Sequence, residues 1–262
     1  MKLSIIIPCY NEDYTIKPLL KRIFEVNFPI DREIIVIDDG SDNNHREILK
    51  EEINTKKIKF IRIPLNQGKG VAIRIGLKYS TGDIIVIQDA DFEYFPSDIP
   101  NLLRPILNKQ AEVVYGTRRN SFNQFMAKSH LIGNLILTKM TNFLYKAKIT
   151  DMETGYKMVT RRVLNKISLN AREFEFEPEI TSKIILEGFK IIEIPIKYHY
   201  RDFGTAKINL LDGFEGILVL IQNRYFKNSK IYQFLYNIYK FHFKKIGYNL
   251  LNSILFFIKK RL

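Results

Sequence analysis

Strands and helices alternate through the first half of this chain, and no other feature of the sequence constrains its fold as strongly. Runs rich in isoleucine and valine show little polar alternation, which is typical of strands covered on both faces; they are residues 2–7, 33–37, 58–63, 83–88, 111–115 and 191–196. Helical spacing of apolar residues lies between most of them, over residues 13–26, 43–52, 69–80, 97–108 and 129–146. This order predicts an α/β fold with a single, mainly parallel sheet flanked by helices.

The length and composition suit one globular domain, or one domain with an appendage. The chain has 262 residues, 46% of them hydrophobic, which is enough for one large core. Cys9 is the only cysteine, so an intrachain disulfide and a zinc site built on several thiolates are both excluded. Pro8, Asn11 and Glu12 interrupt the first apolar run, and no stretch reaches the ~18 apolar residues of a membrane span. We therefore expect a cytoplasmic protein, soluble or peripheral to a membrane.

Polar turns follow five of the predicted strands. They are PCYNE, DDGSD, PLNQGKG, DADFE and GTRR in chain order. Ligands of open α/β sheets bind outside the carboxyl ends of the strands. These turns are therefore expected to meet at one edge of the sheet and to form the functional site.

The sharpest signal is the run IIVIQDADFE, in which Asp89, Asp91 and Glu93 follow a buried strand. If the chain stays extended, alternation puts the three carboxylates on one side, where they would repel one another unless a cation lay among them. Hard carboxylate oxygens suit Mg²⁺ or Mn²⁺, ions that keep several waters and bridge to substrate phosphates. The alternatives are a solvated turn for the two aspartates and a helix-start position for Glu93.

Two further turns each have a functional and a structural interpretation. Asp38 and Asp39 could accept hydrogen bonds from a ribose hydroxyl or a base N–H, or residues 41–44 could simply start the next helix. The glycines of NQGKG could let the backbone approach a phosphate while Lys69 adds charge. Alternatively, this segment is a glycine-rich turn with a solvated lysine.

These motifs carry a family resemblance. The chain contains, in this order, SIIIPCYNE, IIVIDDGSDN, NQGKGVAIRIGL, GDIIVIQDADFEYFPSDIP, VVYGTRR, TDMETGYKM, FEFEPEITSKI and IPIKYHYRDFGTAKI. The series resembles family 2 glycosyltransferases of the polyprenyl-phosphate sugar synthase type, relatives of dolichyl-phosphate mannose and glucose synthases, over residues 3 to about 226. The resemblance implies a GT-A fold with a nucleotide-binding sheet, a nucleoside diphosphate sugar donor, a divalent metal and inversion at the anomeric carbon.

The resemblance also implies roles for particular residues. Asp39, together with Asp38, would contact the nucleotide, and the remaining members of the implied nucleotide-binding set are Pro8, Tyr10, Glu12, Lys69, Asp89 and Ala90. Asp89 and Asp91 would form the metal site. Glu93 stands where mannose synthases commonly have Gln and related bacterial sequences have Glu. Its part in binding the metal, and the choice between mannose and glucose, therefore stay open.

Cations and acids are also expected on the acceptor side of the site. Arg118, Arg201 and Lys207 could hold the donor diphosphate or an acceptor phosphate, or be solvated surface charges. Asp151 and Glu153 of DMETGYKM are possible bases for a hydroxyl acceptor. A phosphate monoester, whose second pKa is near ~6, is already an anionic nucleophile at neutral pH. Because the motif resembles that of lipid-phosphate enzymes, we favour a phosphate acceptor with both acids shaping the site; capping or turn carboxylates are the alternative.

The excess of positive charge lies at the carboxyl end. The net charge is +13, and residues 216–262 contain nine Lys and Arg residues but no Asp or Glu. Residues 227–262 are predicted to form a basic amphipathic helical tail behind a catalytic domain of residues 1–226. Such a tail is typical of an anchor on an anionic membrane surface; the alternatives are packing on the domain or on a second copy of the chain. No nucleic-acid-binding module is recognised.

Together these features predict a metal-dependent, inverting glycosyltransferase of cell envelope glycan synthesis. It would move a hexose from a UDP- or GDP-sugar, with UDP-glucose and GDP-mannose as first candidates, to a polyprenyl phosphate at the cytoplasmic face of the cell membrane. The alternatives are transfer to a hydroxyl of a glycan or protein, and a non-catalytic relative that binds a membrane or a partner.

Overall fold

A seven-stranded sheet forms the centre of the protein. The computed structural model describes residues 1–119, 128–199 and 210–226. Its strands are β1 (Lys2–Cys9), β2 (Asp31–Asp39), β3 (Lys59–Ile63), β4 (Ile84–Ile87), β5 (Val113–Thr117), β6 (Lys157–Thr160) and β7 (Ile191–Pro195). They lie in the order β3-β2-β1-β4-β6-β5-β7, and only the pairings of β6 with β4 and β5 are antiparallel. The predicted mainly parallel sheet is confirmed.

Helices cover the sheet, and each of the five segments with helical apolar spacing overlaps at least one of them. They are α1 (Ile16–Glu25), α2 (His45–Ile48), α3 (Lys50–Asn54), α4 (Lys69–Tyr79), α5 (Ile99–Leu107), α6 (Lys128–Tyr145), α7 (Arg161–Leu164), α8 (Phe176–Leu186) and α9 (Leu210–Tyr225). The helix predicted over residues 43–52 is two short helices, and β6, α7, α8 and α9 were not predicted. Within the described part of the chain, no helix combines the length and apolarity that a membrane span requires.

The core lies on both faces of the sheet. Ile5 and Ile7 of β1 pack in one layer, with Leu19 of α1 and Leu102 of α5. The opposite layer contains Ile87 of β4 and side chains from α4 and α8, which include Ile73, Ile180 and Ile184. Because successive strand residues point to opposite faces and both faces are buried, the strands need no polar alternation.

A third, smaller core joins α6 and α9 beside the sheet. Leu137 and Tyr145 of α6 pack against Leu220 of α9 and against Met152. The Tyr145 hydroxyl donates to the Leu220 carbonyl at 2.6 Å. This packing fixes the segment around Met152, which contains the predicted Asp151 and Glu153.

The antiparallel direction of β6 decides where that segment lies. The other six strands run in one direction, so their carboxyl ends share one edge of the sheet. Since β6 runs the opposite way, its first residue, Lys157, lies at this same edge. Residues 151–156 therefore lie at the same edge as the polar turns, and they contact those that contain Asp89 and Arg118. Arg201, Lys207 and the predicted tail of residues 227–262 lie outside the described residues.

Candidate active site

The DAD segment bends sharply instead of continuing as a strand. Phe92 has a φ of 65°, and the Glu93 N–H donates to Asp91 Oδ1 at 3.2 Å. The bend carries Glu93 away to Tyr198, whose hydroxyl donates to Glu93 Oε2 at 2.8 Å. No group of three metal-ligating side chains occurs in the part of the chain that the structure describes. Because the chain does not stay extended past the bend, the condition for placing Asp89, Asp91 and Glu93 on one side is not met, and their predicted binding of a metal stays a prediction.

A lysine provides the positive charge expected among the carboxylates. Lys69 is the first residue of α4, and its Nζ lies 2.9 Å from Asp89 Oδ1 and 3.0 Å from Glu177 Oε1. Burial disfavours the ammonium, yet the two carboxylates raise the pKa of Lys69 well above its ordinary value. The interpretation of Lys69 as a solvated surface charge is therefore wrong.

The glycine-rich turn is held by Asp39 from the neighbouring strand. Asp39 accepts hydrogen bonds from the N–H groups of Gln67 and Gly68 at 2.9 and 2.8 Å. A Cβ on Gly68 would lie 2.3 Å from the Arg172 carbonyl oxygen, and one on Gly70 would lie 2.6 Å from that of Ala171. These glycines thus permit contact with another protein segment rather than with a phosphate, and the two N–H groups are already bonded to Asp39. Burial raises the pKa of Asp39 in spite of these bonds.

Asp38 is fully buried and belongs to a charged cluster. Its Oδ2 accepts from Arg62 Nη1 at 3.0 Å, and its Oδ1 accepts from the Ser41 N–H at 3.1 Å and lies 3.3 Å from His45 Nδ1. His45 Nε2 lies 2.6 Å from Asp13 Oδ1. Burial opposes both charged forms, but the contact between them lowers the pKa of Asp38 and raises that of His45. No side chain caps α2, so the helix-capping interpretation of this turn is not supported.

Arg118 and Asp151 form a buried two-point ion pair. Arg118 Nε and Nη2 donate to the two carboxylate oxygens of Asp151 at 2.8 and 2.7 Å, and the Arg118 backbone N–H adds a bond of 3.0 Å. Asn134 of α6 donates to Asp151 Oδ1 at 2.9 Å. Burial would raise the pKa of Asp151, but Arg118 holds it below its usual value. Arg118 is therefore not the solvated surface charge that was its alternative, and Asp151 does not cap a helix.

Glu153 lies in a second group of buried charges. Glu153 Oε1 and Glu177 Oε2 are buried, and within the described residues neither atom has a hydrogen-bond partner. Burial, and next the charge of Glu177, raise the pKa of Glu153. Lys157 donates to the Met152 carbonyl at 2.9 Å, and burial lowers its pKa. Glu153 thus retains a proton at higher pH than an ordinary glutamate does.

The remaining predicted residues border the same edge. Pro8 is partly buried in β1, and Tyr10 is partly buried just after it. Glu12 accepts a hydrogen bond from the Thr15 hydroxyl at 3.0 Å, next to the start of α1. Ala90 is buried in the core beside β1. Their predicted contacts with a nucleoside remain predictions.

Sequence reasoning missed Glu177, His45, Arg62 and Tyr198. The segment FEFEPE offers several equivalent acids, but the structure separates them. Glu175 and Glu179 accept hydrogen bonds from backbone N–H groups of residues 170–173, and Glu177 alone among these three reaches Lys69. The only available signal was the unusual density of glutamate at the start of a helix.

Comparisons with known proteins agree with this architecture. The family model described as Glycosyl transferase family 2 matches residues 4–168. A UDP-N-acetylglucosamine–dolichyl-phosphate N-acetylglucosaminyltransferase of Methanococcus voltae is 32% identical, over 80% of this chain and 91% of its own. A dolichol-phosphate mannosyltransferase of Pyrococcus furiosus is 28% identical, over 79% of this chain and 59% of its own.

Solved structures resemble the chain in fold. Glucosyl-3-phosphoglycerate synthase from Mycobacterium tuberculosis, bound to phosphoglyceric acid, aligns with a TM-score of 0.69 at 18% identity and covers 87% of this chain and 81% of its own. The same enzyme bound to Mn²⁺, UDP and glucosyl-3-phosphoglycerate aligns with a TM-score of 0.65 at 18% identity, over 87% of this chain and 81% of its own. At this identity the likeness concerns the fold alone, which is a GT-A-like α/β fold.

Proposed function

This chain belongs to glycosyl transferase family 2, and we propose that it is an inverting enzyme that transfers a hexose from a nucleoside diphosphate sugar to a polyprenyl phosphate. The observation that carries the proposal is the position of Asp89 and Lys69, which pair at 2.9 Å where β4 ends and α4 begins. A carboxylate at this edge can bind a metal that bridges to a diphosphate, and a lysine beside it offers positive charge to the phosphates. The names of the relatives from Methanococcus voltae and Pyrococcus furiosus support the polyprenyl phosphate acceptor.

Asp89 and Asp91 are the residues that would hold Mg²⁺ or Mn²⁺. Two carboxylates fit such an ion, because Mg²⁺ is usually bound by one or two carboxylates, several waters and substrate phosphates. The Asp89 side chain is 16% exposed and is fixed by Lys69, so it faces the edge of the sheet in one orientation. When bound, the ion would neutralise the charge that develops on the leaving diphosphate. Glu93 is left out of this set because its carboxylate bonds to Tyr198.

The chain's own groups orient the reactants. Lys69 keeps its charge beside Asp89, and that charge would stabilise the negative charge that develops on the leaving diphosphate. Arg118 is held by Asp151 through two of its side-chain nitrogens, so its guanidinium has one orientation. A rigid arrangement of these groups lowers the cost of ordering the donor for in-line attack.

A phosphate acceptor suits the state of Asp151. A base must have a free lone pair within reach of the proton that it removes, but both oxygens of Asp151 are bonded to Arg118 or Asn134. A phosphate monoester needs no base, because it is already anionic at neutral pH. Because its two oxygens are already bonded, Asp151 favours a phosphate over a hydroxyl acceptor.

Glu153 favours the second candidate function, transfer to a hydroxyl. Its buried Oε1 atom has no bonded partner in the described residues, and burial raises its pKa toward the range in which a base is effective. Glu153→Gln separates the two functions. Turnover with polyprenyl phosphate should persist in this variant, whereas a hydroxyl acceptor would lose it with donor binding intact.

The first experiment is calorimetric titration with UDP-glucose, UDP-N-acetylglucosamine and GDP-mannose, each with Mn²⁺ and with EDTA. One donor should bind in a metal-dependent manner, and Asp91→Asn should remove that dependence without unfolding the protein. Asp83→Asn is the matched control, since Asp83 precedes β4 at the opposite edge of the sheet and bonds to the Lys2 N–H. Unchanged binding in Asp91→Asn would refute the metal site, and failure of every donor would refute the proposed function.

We also propose that residues 1–226 form the catalytic domain and that the enzyme works at the cytoplasmic surface of a membrane, where its lipid acceptor would lie. Ile132, Leu135, Ile136 and Phe143 are exposed on α6, and their spacing puts them on one stripe of the helix. On the same helix, Asn134 reaches inward to Asp151. Helix α6 therefore presents an apolar stripe to the outside and a contact with Asp151 to the inside.

A further inference from the structure

A buried histidine joins the two turns on the nucleoside side of the candidate site. His45 is the first residue of α2 and is fully buried. Its Nε2 lies 2.6 Å from Asp13 Oδ1 in the turn after β1, and its Nδ1 lies 3.3 Å from Asp38 Oδ1 at the end of β2. The imidazole ring therefore lies between carboxylates of two separate segments.

The charges around the ring balance only when it is protonated. Besides the two aspartates, Arg62 of β3 donates to Asp38 Oδ2 at 3.0 Å, and Cys9 Sγ of β1 lies 3.8 Å from His45 Nδ1. Two carboxylates then face one guanidinium and one imidazole. A neutral imidazole would leave one negative charge uncompensated against a fully buried ring, which is costly.

Other hydrogen bonds make the two turns one mechanical unit. Asn11 and Asp42 exchange a reciprocal pair of bonds at 2.8 and 2.9 Å. The Asn11 N–H donates to Ser41 Oγ at 2.9 Å, and Asn43 donates to Asp13. A change at His45 is therefore transmitted to both turns, which contain or adjoin Tyr10 and the other residues predicted to border the nucleoside.

We propose that His45 is a positioning residue whose protonated ring holds these two turns in the conformation that binds the donor nucleoside. His45 does not touch the donor in this role; it acts through Asp13 and Asp38. The inference rests on the proposed function, because it requires that a nucleoside diphosphate sugar bind at this edge. It adds that donor affinity depends on pH through His45, a group separate from Glu153 and Lys157.

The direction of the pH dependence follows from the contacts. Burial disfavours the imidazolium, but Asp38 and then Asp13 raise the pKa of His45 above its ordinary value. The charged form is therefore complete below the ordinary pKa of ~6.5 and is lost as the pH rises through the raised value. Donor affinity should therefore decrease as the pH increases through the raised pKa of His45. By reciprocity, bound donor should raise the pKa of His45 further.

Three proteins test the proposal: the unmodified chain, Asp13→Asn and Asp42→Asn. Asp13→Asn removes one carboxylate that faces the ring, so it should lower the pH at which His45 loses its proton. Asp42→Asn is the matched control, because Asp42 joins the same two turns through Asn11. Donor affinity is measured by calorimetry from about pH 6 to about pH 9 at constant Mn²⁺, with whichever of the three sugar nucleotides binds. Their diphosphate has no terminal monoester group that titrates in this range.

We expect the affinity of the unmodified chain to fall at least about fivefold across its midpoint, the lower end of ordinary coupling between two sites. The midpoint should coincide with the His45 titration followed by NMR, in which Asp13→Asn identifies the His45 signal among those of the four histidines by shifting it. Asp13→Asn should lower both midpoints together, and Asp42→Asn should leave both in place.

Two results overturn the proposal while the proposed function stands. The first is a donor affinity that does not change while the His45 signal titrates, and the second is an unshifted affinity midpoint in Asp13→Asn. Absence of donor binding at every pH is a different result, since it overturns the proposed function and this inference with it.

Discussion

At the scale of single residues, Asp151 is an acid that holds the site together rather than one that takes part in the chemistry. Its carboxylate is fully buried and bonded to Arg118 and Asn134. Breaking a buried pair by removing one charge leaves the other charge uncompensated. Loss of Asp151 should therefore affect the stability of the fold before it affects any single chemical step.

We expect Asp151→Asn to lower the free energy of unfolding at pH 7 by about 3 kcal/mol, the low end for a broken buried pair. Because Arg118 lowers the pKa of Asp151, this contribution is present above the ordinary Asp pKa of ~3.9 and is lost as the pH falls through the lower folded value. Urea unfolding of both proteins at pH 7 and at an acidic pH below the folded pKa of Asp151 measures the difference in unfolding free energy. This difference should be smaller at the acidic pH.

The exposed pair of Arg162 and Glu112 supplies the control. The two side chains lie 3.1 Å apart, and Arg162 is 70% exposed and Glu112 32% exposed. Glu112→Gln should therefore lower the free energy of unfolding by less than about 1 kcal/mol. An Asp151→Asn protein that unfolds at the same urea concentration as the unmodified chain, yet has lost turnover, would contradict the structural role and restore Asp151 as a candidate base.

The types of residue at the site could be predicted from sequence, but their partners could not. Asp89 and Lys69 follow or begin recognisable elements, so their place at one edge was deducible. Nothing local indicates that Lys69 pairs with Glu177, because that contact depends on the packing of α8. Likewise, the positive φ of Phe92 redirects Glu93, and the run of alternating acids in the sequence does not predict it.

At the scale of elements, the short strand β6 shapes the site through the turn that precedes it. Gly155 lies in this turn, and a Cβ there would lie 2.3 Å from Asp89 Oδ2 and 3.0 Å from Tyr94 Cε2. The Gly155 N–H donates to the Tyr94 hydroxyl at 2.8 Å. The turn therefore presses against the carboxylate that we propose as a metal ligand.

We expect Gly155→Ala to weaken metal-dependent donor binding, because the added methyl group must displace Asp89 from Lys69. Overpacking of this kind costs about 1–3 kcal/mol of stability, so the protein should still fold. Calorimetry with Mn²⁺ and circular dichroism measure the two effects. Gly213→Ala on α9 is the control, since outside the backbone of its own helix no heavy atom of the described residues lies within 4 Å of its added Cβ. Equal donor binding in both variants would show that Asp89 does not need its present position.

The strands that were predicted and the one that was missed differ in the length of their apolar runs, because β6 is buried almost throughout yet has only two apolar residues in sequence. Long uninterrupted apolar runs such as that of β2 identify strands buried on both faces. The four residues of β6 are KMVT, too short and too polar at both ends to be distinguished from a loop. That omission matters, because β6 is what brings Asp151 and Glu153 to the functional edge.

At the scale of the whole molecule, two surfaces are candidates for membrane contact. One is the exposed stripe on α6, where Phe143 is 83% exposed and Ile132 is 56% exposed. The other is the predicted basic tail, whose charge was read from the sequence and whose residues lie outside the described ones. The two differ in physical character, since apolar insertion depends little on salt while attraction between charges is screened by it.

Removing residues 230–262 should therefore release the protein from anionic vesicles. Each Lys or Arg near such a surface contributes about 1 kcal/mol, and the tail holds most of the excess positive charge of the chain. Cosedimentation with vesicles of phosphatidylglycerol and phosphatidylcholine, and of phosphatidylcholine alone, measures binding at low and high salt. Phe143→Ser in the full chain is the matched comparison: it should reduce binding by an amount that salt hardly changes. If the shortened protein still binds anionic vesicles as the full chain does, the tail is no anchor, and the stripe on α6 is the surface that remains.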